Sequence, residues 1–348
     1  MDLERIETPA VLIDLAIVRR NIARGQEHVA TLGMAMRPHI KTHKLPLIGR
    51  MQIDAGATGI ACQKLSEAEV FAAEGFADIL LCYNILGAAK LERLQRLARA
   101  VNLRVVADSE RVVDALAEAG SDLGVLVECD TGLRRCGVQS PSAARDLALR
   151  IAGTPGLRFG GLMTYPAPDN PARVQAFLAE AVELCEAALG PVPCVSTGGT
   201  PAMATAGQVP AATEYRPGTY VYNDRSLVAR GACTVGDCAL TVLSRVISRP
   251  TRDRAVLDAG SKTLSSDLLG LTGYGMLPNF PDARIVALSE EHGHVEFSQP
   301  AKLPAVGDLV RIIPNHACPV SNLTDVVHLH EGDSYLGPQP VAARGCVT

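Results

Sequence analysis

From about residue 34 to 220, short apolar runs alternate with longer stretches in which apolar residues recur at helical spacing. The runs are Gly33 to Lys41, Gly59 to Gln63, Ile79 to Tyr83, Leu103 to Asp108, Gly124 to Cys129, Phe159 to Thr164, Val192 to Thr197 and Thr213 to Arg216. Ser66 to Gly75 reads as one intervening helix, capped by Ser66 and stopped by Gly75. Ala88 to Ala100 reads as another, with Leu91, Leu94 and Leu97 on one face. Strands separated by helices of about 10–15 residues are the mark of parallel β-α-β units. The runs number about eight, enough to close a barrel. A doubly wound sheet alternates in the same way, but it usually carries a Gly-rich dinucleotide turn after its first strand, and this chain has none.

Beyond about residue 240 the pattern changes. Leu240 to Ser248, Arg254 to Asp258, Val295 to Phe297 and Leu309 to Ile313 are short β-like runs broken by Gly, Pro and Asp, and helical periodicity largely stops. The expected architecture is α/β: a (β/α)8 TIM-type barrel over residues 15–240, followed by an antiparallel β domain over residues 241–348. The strand Ala10 to Asp14, within residues 1–14, is expected to join that second domain.

Composition narrows the class. With 47% apolar residues, the 348-residue chain can bury a large core. A net charge of −4 gives no electrostatic reason to expect nucleic acid or an anionic membrane as partner. No apolar run reaches the roughly 18–20 residues of a membrane helix. The N-terminus lacks a basic segment followed by an apolar one, so no signal peptide is expected. Ten scattered cysteines without a C-x-x-C pair read, Cys318 excepted, as reduced core thiols of a cytoplasmic protein.

Three stretches carry chemistry. In Arg37-Pro38-His39-Ile40-Lys41-Thr42-His43-Lys44, strand period places Arg37, His39 and Lys41 on one face at the C-terminal end of the first barrel strand. A lysine among cationic neighbours has a lowered pKa, and its neutral amine can form a Schiff base. The plainer alternative is a basic surface turn. Thr197-Gly198-Gly199-Thr200 follows the seventh strand, where exposed backbone N–H groups and hydroxyls make a phosphate cradle; Gly-Gly turns are also common connectors. His316 and Cys318, two apart on an extended segment, project to one side and are both good zinc ligands. The same spacing also suits a buried thiol beside a loop histidine. Lesser features are Gly132 to Gly137, Tyr165, and Glu214 to Asp224, each placed where a barrel strand should end.

Taken in order, these stretches resemble the D-threonine aldolase and D-serine dehydratase family, relatives of alanine racemase in the third fold type of pyridoxal-phosphate (PLP) enzymes. The resemblance runs from Thr8-Pro9-Ala10 through the lysine motif and Cys62-Gln63-Lys64-Leu65-Ser66-Glu67-Ala68 to Glu290-Glu291-His292-Gly293 and the His316/Cys318 pair. It implies that Lys41 carries the cofactor as a Schiff base, with His43 beside it as a catalytic residue. Gly198, Gly199 and Thr200, with Thr197, look like the phosphate site. Arg135 and Tyr165 match positions that line the cofactor ring, and His39, Gln63 and Tyr220 match further cofactor-pocket positions. His316 and Cys318 look like ligands of a divalent metal, zinc or manganese. The resemblance further implies a homodimer acting on a small D-amino acid.

Two departures bear on the reaction. Familiar aldolases of the family place an aspartate two residues after the metal histidine, whereas this chain has Cys318, as the dehydratases do. After Tyr165 it continues Pro166-Ala167-Pro168-Asp169-Asn170, without the histidine base of some aldolases. The first reading is retro-aldol cleavage of a D-threonine-like substrate to glycine and an aldehyde. The alternatives are dehydration of D-serine or D-3-hydroxyaspartate to a keto acid and ammonia, racemisation, and non-catalytic PLP binding.

Overall fold

The computed structural model describes residues 3–119, 122–298 and 303–348; Met1 and Asp2, which open the segment read above for a signal peptide, lie outside them. Chain contacts divide it into two units. One comprises Arg24–Lys41, Pro46–Gly218 and Cys346–Thr348; the other comprises the residues up to Ala23, Thr42–Leu45 and Thr219–Gly345. Among the described residues, no helix is long and apolar enough to cross a membrane.

In chain order, β1 (Ala10–Asp14) and α1 (Leu15–Thr31) are followed by β2 (Ala35–Met36), α2 (Pro46–Asp54), β3 (Ile60–Cys62), α3 (Leu65–Ala73), β4 (Asp78–Leu81), α4 (Ala88–Ala100) and β5 (Asn102–Ala107). Then come α5 (Glu110–Glu118), β6 (Leu123–Glu128), α6 (Pro141–Ala152), β7 (Leu157–Met163), α7 (Pro171–Leu189), β8 (Val195–Thr197) and β9 (Glu214–Tyr215). Strands β2 to β9 pair in parallel in the order β2-β9-β8-β7-β6-β5-β4-β3. A parallel bridge between His39 and Ala61, with Ala61 N–H donating to Pro38 O, joins the two ends and closes the barrel. Leu91, Leu94 and Leu97 of α4 are buried as their spacing required, each worth about 1.5–3 kcal/mol.

The first strand is far shorter than its apolar run. Pro38 has no N–H to add to a ladder, and Ile40–Thr42 turns into a 3-10 helix. Helix α3 is capped at Lys64 rather than Ser66. Glu67 is its third residue, and its carboxylate reaches back to accept from Gln63 N and Lys64 N at 2.9 and 3.2 Å, which satisfies the start of the helix. Gly75, at φ +84°, ends it as expected.

Alternate strand positions fill the barrel. Ala61, Leu80, Cys82, Val106, Leu126, Met163 and Cys194 form one buried cluster. The same faces of β4, β5 and β8 carry Asp78, Arg104 and Ser196, and these meet Glu214 in an ion network. Glu214 accepts from Arg37 Nε at 2.7 Å, from Arg104 Nη2 at 3.3 Å and from the Ser196 hydroxyl. Ser196 in turn accepts from Arg216. Arg37 also donates to Asp78 at 2.6 Å. Burial alone would raise the Glu214 pKa, but Arg37 and Arg104 outweigh it and hold the carboxyl below its ordinary range.

The second unit adds α8 (Arg225–Ala229), β10 (Leu240–Ser248), β11 (Arg254–Leu257), α9 (Ser261–Leu264), β12 (Gly275–Met276), β13 (Ala283–Leu288), β14 (Gly293–Phe297), β15 (Leu309–Pro314), α10 (Ala317–Leu323), β16 (Val326–Glu331) and β17 (Ser334–Pro340). Its sheet runs β13-β14-β11-β10-β1-β16-β17, with β15 also on β10 and β12 on β15. All pairs are antiparallel except β1 with β16. Strand β1 thus lies at the centre of this sheet, with Ala10 and Leu12 packed on Leu243 and Ile6.

Replacing Glu214 by Gln keeps the shape and removes the charge that Arg37 and Arg104 face. The variant should lose about 3–5 kcal/mol of stability at neutral pH, read from the denaturant midpoint. The Glu214 carboxyl titrates below its ordinary range in the fold, so its stabilisation is complete at neutral pH and is lost as pH falls through that lowered value. The gap between variant and parent should therefore close in acid. Equal midpoints at neutral pH would contradict this.

Candidate functional site

Every sequence-predicted residue of the barrel unit lies just beyond the C-terminal end of a strand or closes one: His39 and Lys41 after β2, Gln63 after β3, Arg135 after β6, Tyr165 after β7, and Thr197 to Thr200 at and after β8. That is the end where barrel enzymes place their chemistry.

Around Lys41 the geometry departs from simple strand alternation. Lys41 sits in the Ile40–Thr42 3-10 turn, and the Arg37 charge is taken up by Glu214 and Asp78, so the cationic face read from the sequence does not form. What the turn builds instead is a hydrogen-bond chain. Lys41 N–H donates to His39 Nδ1 at 3.3 Å, so that nitrogen carries no proton. The neutral ring then donates from Nε2 to Gln63 Oε1 at 3.2 Å, while Gln63 Nε2 donates to Cys82 O at 2.8 Å. Glu67 holds the Gln63 backbone from below.

The turn after β8 is the candidate anion cradle. The Thr197 hydroxyl is buried and has no hydrogen-bond partner among the described residues. Gly198 and Gly199 both stand at positive φ, +132° and +152°. A Cβ on Gly198 would press on the Arg216 backbone, and one on Gly199 would touch the Tyr165 ring at 3.0 Å. Only glycine allows this close approach. Tyr165 is stacked by Arg135, whose guanidinium lies 4.9 Å from the ring centroid. Thr200 begins the 3-10 segment Thr200–Gln208, whose N-terminal end therefore faces the same turn. An unpartnered hydroxyl, a side-chain-free turn and a stacked aromatic, with Lys41 at the same end of the barrel, fit a phosphorylated aromatic aldehyde.

Glu128 was not singled out in the sequence. It closes β6, is 3% exposed, accepts from Cys136 Sγ at 3.0 Å and lies 3.9 Å from Arg135. Burial raises its pKa, and Cys136 and Arg135 only partly offset this. The sequence signal was a lone carboxylate ending the otherwise apolar run Leu123 to Val127.

In the second unit, Cys318 does not lie on an extended segment. His316 caps α10 and Cys318 is in its first turn, so a helical turn rather than strand alternation brings them together. Burial lowers the His316 pKa, but contact with the Cys318 sulfur and with Asp267 raises it further, to about 9. His316 Nδ1 bonds Asp267 Oδ2 at 2.7 Å. The Cys318 sulfur is met by Thr42 Oγ1 at 3.2 Å and Thr219 Oγ1 at 3.7 Å. Thr42 is the residue after Lys41. Between the pair, Ala317 N–H donates to the buried Asp224 at 3.0 Å, and Asp224 also caps α8.

His43 is fully buried; its Nδ1 accepts from Leu45 N–H at 3.1 Å and its ring meets Tyr222 edge-on, with centroids 6.4 Å apart. The Tyr222 hydroxyl is buried without a partner among the described residues. Tyr220 is buried in the 3-10 turn Thr219–Val221. No group of three or more His, Cys, Asp or Glu side chains is placed to hold a metal among the described residues. His316 and Cys318 are thus a two-donor set, a nitrogen and a sulfur, which suits a divalent metal that keeps positions for water or substrate.

Residues 13–226 match the family described as "Alanine racemase, N-terminal domain", and residues 239–330 match "Putative serine dehydratase domain". The chain is 32% identical over 343 residues to D-threonine aldolase of an Arthrobacter species, covering 93% of this chain and 89% of that one. It is 33% identical over 347 residues to D-threo-3-hydroxyaspartate dehydratase of Delftia, covering 90% and 91%. The crystal structure of D-threonine aldolase from Filomicrobium marinum superposes with a TM-score of 0.92 at 32% identity, over 99% of this chain and 97% of that one. A D-threo-3-hydroxyaspartate dehydratase has also been solved as a cysteine-to-alanine variant described as the metal-free form, with a TM-score of 0.87 at 31% identity, over 97% and 98% of the two chains. Alanine racemase of Clostridium difficile, at 13% identity and a TM-score of 0.71, shares the fold. Together with the barrel and β unit described above, these matches show that the chain belongs to the D-threonine aldolase and D-serine dehydratase family, built on the alanine racemase fold.

Proposed function

We propose that this chain is a PLP- and divalent-metal-dependent lyase that cleaves D-amino acids carrying a β-hydroxyl, yielding glycine and an aldehyde from a D-threonine-like substrate. The contact between His316 and Cys318 carries this reading. A racemase or a non-catalytic PLP carrier has no use for a metal pair, and the metal-free form of the D-threo-3-hydroxyaspartate dehydratase is described for a cysteine variant.

Lys41 would provide the amine for the cofactor aldehyde, and Thr197, Gly198, Gly199 and Thr200 would hold its phosphate. When bound, the cofactor supplies an electron sink at the substrate Cα and the metal supplies a Lewis acid at the β-hydroxyl. His39, kept neutral by the Lys41 N–H, adds no positive charge beside the lysine. Arg135, half-exposed above Tyr165 and backed by Glu128, is placed to orient a carboxylate. Cleavage removes one proton, from the β-hydroxyl; the Cα–Cβ bond then breaks with its electron pair left on Cα, the aldehyde departs, and one proton returned to Cα gives glycine.

Dehydration is the second reading, and Cys318 favours it. In that case a base, for which Lys41 is the candidate, takes the Cα proton and hydroxide leaves from Cβ, giving a keto acid and ammonia after hydrolysis. Incubation of the metal-loaded enzyme with D-threonine separates the readings. The proposal expects glycine and acetaldehyde, and chelation should stop their formation. A keto acid with ammonia would replace it by the dehydratase, and epimerised threonine formed equally well after chelation would sink both.

The cradle is testable by binding alone. Thr197→Val removes the hydroxyl and should weaken cofactor binding by about 10-fold or more, as expected for a hydrogen bond to a charged phosphate. Gly199→Ala should weaken it as well, because its Cβ meets the Tyr165 ring. Unchanged cofactor dissociation in both variants would move the phosphate elsewhere.

A further inference from the structure

We propose that Asp267 is the positioning residue of the metal pair, an inference that rests on the metal reading of His316 and Cys318. Its Oδ2 lies 2.7 Å from His316 Nδ1. A carboxylate at that distance keeps the proton on Nδ1 and leaves Nε2 as the nitrogen that can bind a metal. The ring is thereby fixed in tautomer and orientation, and made a better donor.

A half-exposed histidine–carboxylate pair on its own is often incidental. Asp267 is held more firmly than that. Its carbonyl accepts from Asn315 Nδ2 at 3.0 Å, and Asn315 is both 1% exposed and the residue before His316. The same amide nitrogen reaches Gly273 O at 2.8 Å, while Asn315 Oδ1 accepts from Arg225 Nη1 at 2.9 Å. Arg225 also donates to Thr272 O and Gly273 O at 2.9 and 3.2 Å. The loop bearing Asp267 is thus bound at Asp267 and at Gly273 to the residue next to the metal histidine.

The loop's backbone shows the cost of this placement. Ser265 and Leu269, two residues to either side of Asp267, stand at φ +62° and +50°, which side chains other than glycine rarely adopt. Such conformations persist only where surrounding contacts impose them, and they gather at functional sites. Here the Asn315 and Arg225 bonds impose them, and the result is a carboxylate aimed at His316. In the sequence Asp267 stands among Ser, Leu and Gly with no distinguishing pattern.

The test measures metal affinity rather than turnover. The parent, Asp267→Ala, Asp267→Asn and Cys318→Ala are stripped of metal with cofactor retained, then titrated with Zn2+ against a chromophoric chelator. Asp267→Ala should bind about 10- to 100-fold more weakly than the parent. Asp267→Asn keeps an oxygen for the Nδ1 proton without the charge and should fall between them. With Co2+, all three should keep the sulfur-to-metal absorption that Cys318 provides. Parent-like Zn2+ affinity in Asp267→Ala, with binding lost in Cys318→Ala, would overturn this inference alone. Loss of the Co2+–sulfur absorption in Asp267→Ala would overturn it too, by showing that the carboxylate does more than aim the histidine. Parent-like affinity in Cys318→Ala would overturn the metal reading and this inference with it.

Discussion

One buried carboxylate holds the barrel unit together. Glu214 accepts from Arg37 and Arg104 and, through Ser196, faces Arg216. These residues come from β5, β8, β9 and the chain just after β2, so a single charge fixes four strands at the points where three of them turn into the site. Arg216 continues the network by donating to Thr164 O at 2.7 Å, next to Tyr165, and its backbone is what Gly198 must approach. The lysine turn, the stacked tyrosine and the Gly198–Gly199 turn are therefore built on one electrostatic support. Such a network is costly to break: removing one partner leaves the others facing an uncompensated buried charge, and Arg104 Nε already lacks a partner among the described residues.

The unit that carries His316 and Cys318 is organised by carboxylates of a different kind. Asp224 caps α8 and receives the Ala317 N–H between His316 and Cys318, while Asp267 bonds the His316 ring. Thr42 and Thr219 give the Cys318 sulfur hydroxyl neighbours. The chain enters this unit at Thr42, one residue after Lys41, and leaves it at Leu45. Lys44 helps to anchor that excursion, exchanging backbone and side-chain bonds with Ala343.

The architecture was legible because buried parallel strands write themselves as apolar runs between helical periods, and eight of them appear in order. Lys41, the Gly-Gly turn and the His316/Cys318 pair were legible as motifs. The geometry that makes them work was not. The cationic face assigned to Arg37 and Lys41 fails because Pro38 ends the ladder and Glu214, far along the chain, claims Arg37. Cys318 meets His316 through a helical turn rather than an extended strand. Glu128, Asp267 and Asp224 matter through partners 8 to 93 residues away, and no local pattern records such pairings. Strand β17 also escaped, because its residues are largely exposed and its Gly337–Pro338 step blurs the alternation; β13 and β16 were missed as well.

The account turns on a cofactor attached at Lys41, and attachment can be observed directly. Reducing the PLP-loaded enzyme with borohydride fixes any Schiff base as a stable pyridoxyl adduct, and peptide mass mapping then finds the modified lysine. The account predicts one adduct, on the peptide carrying Lys41, and none there in Lys41→Ala. An adduct on another lysine, or no adduct in an enzyme shown to bind PLP, would contradict it.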